Sequence, residues 1–103
     1  MIELYELRQL AAFAEAGTLS EAAEVLHLSQ PVLSRNMKKL EEDLGISLFE
    51  RSKNKLELNK NGEYALELAR KLLDDADSFI TRVRDFDRKS RTITLGICAP
   101  APV

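Results

Sequence analysis

Apolar residues in the first part of the chain recur at helical spacing and are cut into short runs by turn-forming residues. Leu4, Leu7, Ala11 and Ala14, widened by Leu10 and Phe13, form one stripe over residues 3–15. The spacing predicts an amphipathic first helix ended by Gly17. Thr18 and Glu21 then make a T-x-x-E capping pattern, in which each side chain satisfies a free first-turn N–H. It opens a short second helix with Leu19, Ala22, Ala23 and Leu26 inward. Only His27 and Leu28 separate this helix from Ser29, the N-cap of a third. Pro31 falls in the third helix's first turn, where its missing N–H has no helical partner to lose, and Gly45 is the left-handed stop. Leu33, Met37, Leu40 and Leu44 form its inward stripe. Two helices joined by so short a turn, the first bearing alanines that permit close approach, have the spacing of a helix-turn-helix.

After Gly45 the period falls to two. Two short strands are expected at Leu48–Arg51 and Leu56–Leu58, around a polar turn Ser52–Lys55. The hairpin carries Arg51, Lys53 and Lys55 toward its tip, and a helix-turn-helix followed by a basic hairpin is a winged helix. Asn59 caps a long helix from about Lys60 to Asp87. Its apolar positions Ala65, Ala69, Leu72, Ala76, Phe79, Val83 and Phe86 follow alternating steps of 4 and 3, a heptad pattern flanked by Leu66, Leu73 and Ile80. The preceding domain is too small to cover so long a stripe, so most of it is expected to pack on a second copy. From Arg91 the β-branched Thr92, Ile93 and Thr94, then Gly96 and two prolines, read as the first strand of a further domain.

The expected fold is therefore mainly α: a winged helix-turn-helix of three helices plus a two-stranded wing, followed by a long dimerisation linker helix. Residues 1–59 would be the winged domain, 60–88 the linker helix, and 89–103 a hinge and first strand of a missing effector-binding domain.

Composition removes several function classes. No apolar run approaches the roughly 18 residues of a membrane span, and MIELYELRQL lacks the basic start and apolar core of a signal peptide. With one cysteine (Cys98) and one histidine (His27), no disulfide framework, metal site or cofactor is expected. The adjacent acids Glu41, Glu42 and Asp43 have no histidine, metal ligands or Gly-rich loop beside them, so no enzyme is expected. A cytoplasmic protein is implied. The net charge of −2 and pI near 5.4 argue against nucleic acid only if averaged. Residues 1–28 carry one Arg and five acids, whereas residues 29–60 carry seven bases and five acids. Docking depends on the field of one face. Opposite the apolar stripe of the third helix lie Gln30, Ser34, Arg35 and Lys38, with no carboxylate before Glu41, a surface suited to phosphates and base edges.

Three sequence segments carry a resemblance: a Phe followed by G-T-L-S-x-A-A-x-x-L, from Phe13 to Leu26, S-Q-P-x-L-S-R-x-M-K-x-L-E-x-x-L-G-x-x-L-F-x-R from Ser29 to Arg51, and L-x-L-N-x-x-G from Leu56 to Gly62. Over about Leu4 to Leu95 the chain resembles the N-terminal region of LysR-type transcriptional regulators. It departs from their usual pattern at Asn59 (commonly Thr), Asn61 (commonly Ala) and Met37 (commonly Ile).

The resemblance implies a recognition helix in the major groove of double-stranded DNA. Gln30, Ser34 and Arg35 would read base edges, since Gln suits adenine and Arg suits guanine; Pro31 would touch a thymine methyl. Ser29, Lys38, Arg51, Lys53 and Lys55 would hold phosphates, with Thr18 offering its hydroxyl and helix N-terminus. Lys39 would lie off that face. It further implies a homodimer on an interrupted palindrome, a tetramer as an option for the full-length protein, bacterial cytoplasm and nucleoid as the location, and a small-molecule effector acting only through the missing domain. The competing expectation is a winged-helix module that binds protein and not DNA, which the acidic pI permits.

Overall fold

The computed structural model describes residues 1–53 and 55–94. Its elements are α1 (Leu4–Ala16), α2 (Leu19–Leu26), α3 (Gln30–Leu44), β1 (Phe49–Ser52), β2 (Lys55–Leu58) and α4 (Lys60–Thr94). The chain divides into two units, residues 1–73 and 74 onward.

Local chemistry sets the helix ends. The Glu3 N–H donates to Glu6 Oε1 at 2.9 Å, which supplies a partner at the start of α1. Gly17, at φ 89°, ends α1 in the left-handed region and donates its N–H to the Phe13 carbonyl at 2.8 Å. At α2 the Glu21 N–H donates to Thr18 Oγ1 at 3.1 Å, so the threonine half of the capping pattern is made. The turn after α2 has no glycine; His27 itself takes the left-handed conformation (φ 60°), and Leu28 N–H closes onto the Ala23 carbonyl at 2.9 Å. For a residue with a Cβ that conformation costs roughly 1–2 kcal/mol. Tertiary packing must offset it.

That packing is one core. Leu10 and Phe13 of α1, Ala22 and Ala23 of α2, Leu33, Met37 and Leu40 of α3, Leu48, and Ala69 of α4 are all buried. Leu44 is not, although it continues the α3 stripe: it is 41% exposed, because it is the last helical residue and the chain turns away at Gly45. Polar links reinforce the α1–α3 contact. Asn36 Nδ2 donates to Gln9 Oε1 at 3.0 Å. Glu6 is fully buried, and its Oε2 has Lys39 Nζ at 3.6 Å, an ion pair too long for a hydrogen bond. Lys39 also donates to Asp43 at 3.2 Å; that hydrogen bond and the charges of Asp43 and Glu6 hold its ammonium above the ordinary lysine value. Lys39 therefore serves the fold, off the α3 face, as expected.

The wing begins one residue later than the hydropathy pattern suggested. Leu48 is a core residue outside the strand, and β1 starts at Phe49. The antiparallel register pairs Phe49 with Leu58, Glu50 with Glu57, Arg51 with Leu56 and Ser52 with Lys55. Lys53 opens the two-residue connection at φ 53°, the sign that tight hairpins require. Phe49 meets Phe13 edge-on, ring centroids 5.4 Å apart at 81°. Phe49, Leu56 and Leu58 pack on the core.

Asn59 caps α4, its Oδ1 accepting from the Gly62 N–H at 2.8 Å while its Nδ2 donates to the Ser47 carbonyl at 3.1 Å. Gly62 is needed for space. A Cβ there would collide with the Leu48 carbonyl oxygen and lie 2.8 Å from Leu58 Cδ2. This close approach brings Ala65, Leu66 and Ala69 onto the core, so residues 60–73 belong with the winged unit and the unit's edge lies beyond residue 59. Two positions of the expected dimer seam, Ala65 and Ala69, are thus used internally; Ala69 is 1% exposed. In contrast Leu72, Phe79, Val83 and Phe86 are exposed and Ala76 is half-buried. α4 also runs past Asp87 to Thr94, so residues 89–94 are helix where a hinge and strand were expected. Nothing between Gly62 and Gly96 breaks a helix, and β-branched residues cost only tenths of a kcal/mol. The rest of the expected strand, with Gly96 and Cys98, lies outside the described residues.

Gly62→Ala should lower stability by about 1–3 kcal/mol in urea unfolding, because the overpacking outweighs alanine's better helix propensity; an unchanged or raised midpoint would refute the close approach. Lys39→Met should lower the thermal midpoint by stranding the buried Glu6 carboxylate, and Glu6→Gln in the same background should recover much of the loss.

Candidate nucleic-acid interface

The candidate surface lies where α2, α3 and the wing converge. α3 is fixed in rotation by Leu33, Met37 and Leu40, so Gln30, Pro31, Ser34, Arg35 and Lys38 are all exposed. Its N-terminus is held by Ser29, whose Oγ accepts from the Val32 N–H at 3.3 Å while its own O–H stays available to an acceptor. The same holds for Thr18 at the start of α2. Two helix N-termini, each with partly free N–H groups and a positive dipole end, belong to this unit.

Two adjoining clefts define the surface. One is lined by Thr18 and Ser20 of the α2 start, Gln30 of α3, and Arg51 and Lys55 of the wing. The other is lined by Ser34 and Lys38 of α3 with Glu41, Ser47, Glu50 and Arg51. Arg51 belongs to both; it lies one pair from the Ser52–Lys55 end of the hairpin. Period two puts it on the same side of the ribbon as Phe49, and Phe49 packs against the core. Thr18, Gln30, Ser34, Lys38, Arg51 and Lys55 are thereby brought together. Ser29, Pro31, Arg35 and Lys53 lie outside both clefts, exposed on α3 and the wing.

The electrostatics are one-sided. Of the seven bases in residues 29–60, only Lys39 is ion-paired among the described residues. Among the described residues, the side chains of Arg35, Lys38, Arg51, Lys53 and Lys55 make no hydrogen bond or ion pair, and all five are exposed. Two nearby carboxylates are engaged internally, Asp43 with Lys39 and Glu41 with the Leu48 N–H at 2.7 Å, whereas Glu50, beside Arg51, is exposed in the second cleft. Cations without internal partners keep their full charge for an external anion. His27 lies in the turn and lines neither cleft, and among the described residues no cluster of His, Cys, Asp or Glu could hold a metal ion.

Sequence reasoning did not single out Ser20, Glu41 or Glu50. Ser20 follows Thr18 in the capping segment, so the same helix start that flagged Thr18 could have flagged it. Glu41 shows a signal only once the wing is placed against α3.

Among curated proteins, the chain is 36% identical over 101 residues to YbhD of Escherichia coli (strain K12), an uncharacterized HTH-type transcriptional regulator; the match covers 98% of this chain and 32% of YbhD. It is 45% identical over 83 residues to the HTH-type transcriptional regulator ClcR of Pseudomonas putida, covering 81% of this chain and 28% of ClcR. The chain thus spans about a third of the length of the curated relatives it matches. Among solved structures, the DNA-binding domain of CbnR in complex with DNA superposes with a TM-score of 0.79 at 42% identity, covering 84% of this chain and 99% of that one. Residues 4–63 match the sequence profile of the bacterial regulatory helix-turn-helix proteins of the lysR family, and on that match, over more than half of its length, the chain belongs to the LysR family.

Proposed function

We propose that this chain is the DNA-reading and dimerising part of a LysR-type transcription regulator, binding an interrupted palindrome as a homodimer in the bacterial cytoplasm. The observation that carries the proposal is the set of five unpaired cations around α3 and the wing, next to two capped helix N-termini. A protein-binding module would favour apolar or paired groups on that face. The DNA complex of the similar CbnR domain supports the same reading.

In this mechanism α3 lies in the major groove. The Gln30 amide pairs with adenine N6 and N7, and Arg35 donates to guanine O6 and N7. Pro31 packs on a thymine methyl, and Ser34 adds a short-range hydroxyl contact. Lys38, Arg51, Lys53 and Lys55, with Thr18 and Ser29, neutralise phosphates and fix register without reading sequence. The wing lies along the flanking backbone and minor groove. Any response to a small-molecule effector would belong to sequence that the family places beyond the linker helix.

A second copy supplies the palindromic partner. In the unit from residue 74 onward, Phe79, Val83 and Phe86 are 68%, 53% and 61% exposed, and they share one open face with Asp75 and Arg82. Aromatic side chains at such exposure are costly in water and fit a helix–helix seam. In the first unit Leu72 is 52% exposed as well. The seam in this reading therefore comprises Leu72, Ala76, Phe79, Val83 and Phe86, without Ala65 and Ala69.

Selection of genomic fragments with the purified chain should enrich a two-fold site whose affinity falls steeply with salt. On that site Arg35→Ala should cost about 1–3 kcal/mol and relax sequence preference, whereas Lys55→Ala should weaken specific and random duplexes equally. Equal losses on both duplexes for both variants would show the readers to be misassigned. No enrichment by a chain shown to be dimeric would favour the protein-binding module. Separately, Phe79→Asp should give monomers in analytical ultracentrifugation; a dimer unchanged in strength would sink the seam.

A further inference from the structure

One carboxylate oxygen joins α3 to the wing. Glu41 Oε2 accepts from Ser47 Oγ at 3.2 Å, from the Leu48 N–H at 2.7 Å and from the Phe49 N–H at 3.2 Å. These are the only hydrogen bonds between α3 and residues 47–58 among the described residues. The donors form the root of β1, and Arg51 stands two residues beyond Phe49 on the same side of the ribbon. The other ties of the root lead elsewhere. Phe49 leans on Phe13 of α1, while Asn59 binds the Ser47 carbonyl through its side chain and the Leu48 carbonyl through its N–H.

We propose that Glu41 is a positioning residue for DNA recognition: its carboxylate fixes the spacing between the reading face of α3 and Arg51 of the wing. The inference rests on the DNA-reading function above and adds a residue that need not touch DNA. Glu41 lies on the same helix as Gln30, Ser34 and Arg35, so a rotation of α3 and the placement of Arg51 are mechanically one coordinate. Bonds to an ionised acceptor are stronger than neutral ones, and three on one oxygen define a direction as well as a distance. Without them the wing root would keep its apolar contacts but lose its lateral register on α3. Arg51 would then meet a phosphate only after an ordering step, which costs affinity.

The test is a double-mutant cycle in the 103-residue chain, with two probes: a duplex recovered by genomic selection and a random duplex of equal length. Glu41→Ala should weaken binding to the selected duplex about tenfold and make the salt dependence shallower by about one phosphate per protomer. Arg51→Ala should do the same, and the double variant should be no weaker than either single one, because both remove the same contact. Glu41→Gln keeps an acceptor and should fall between wild type and Glu41→Ala. A residue important only for stability would lower the thermal midpoint without coupling to Arg51. Losses that multiply, or a wild-type salt slope in Glu41→Ala, would overturn the proposal. Should Glu41→Ala fail to fold by circular dichroism, the cycle of Glu41→Gln with Arg51→Ala decides by the same criterion. A wild-type chain that binds neither duplex would instead overturn the DNA-reading function itself.

Discussion

The rotational lock on α3 is the constraint from which the rest follows. Leu33, Met37 and Leu40 are buried against α1 and α2, with exposures of 2% or less. Each fully buried side chain of this size contributes roughly 1.5–3 kcal/mol, so turning the helix about its axis would forfeit several kcal/mol. Once one side of a helix is held in this way, the other side is determined without any contact of its own. Gln30, Ser34, Arg35 and Lys38 are therefore presented to solvent by residues that never meet a ligand. Ala22 and Ala23 permit the lock, because larger side chains would hold α2 away from α3.

Around this helix the charges are sorted by use. Three acids are engaged inside the protein: Glu6 and Asp43 share Lys39, and Glu41 accepts three hydrogen bonds from the wing root. Among the described residues, the side chains of the bases in residues 29–60 are left without internal partners, apart from Lys39. A chain of net charge −2 thus carries a face with five exposed cations whose side chains have no internal partner among the described residues. The average charge says little about such a surface, since phosphates respond to the local field within about a Debye length of 8–10 Å.

The long helix serves two masters along its length. In the winged unit, Gly62 lets α4 approach the Leu48 carbonyl, and Ala65 and Ala69 complete the core. In the unit from residue 74 onward, Phe79, Val83 and Phe86 face water in the isolated chain. The stripe positions that meet the helix's own domain are the alanines Ala65 and Ala69, whereas the exposed positions beyond include the large Phe79, Val83 and Phe86. A heptad reading treats all seven positions alike because spacing carries no information about which partner covers them.

Much of the fold was legible in the sequence because its signals are local. Helix starts at Thr18 and Ser29, stops at Gly17 and Gly45, and the period-two wing depend on neighbours within a few residues, and each came within a residue or so of its place. The polar face of α3 was legible for the same reason, since a helix of known register has only one side opposite its apolar stripe. What tertiary structure alone decided is non-local. It removed Leu44 from the core, set Arg51 at the junction of both clefts, and spent Ala65 and Ala69 on the winged unit. It also turned Glu41 from a surface acid into the link between α3 and the wing. Each of these depends on a distance between residues far apart in sequence or on the crowding at a junction, and a one-dimensional pattern contains neither. The sequence determined which elements form and which side of each is apolar; packing decided what those sides meet.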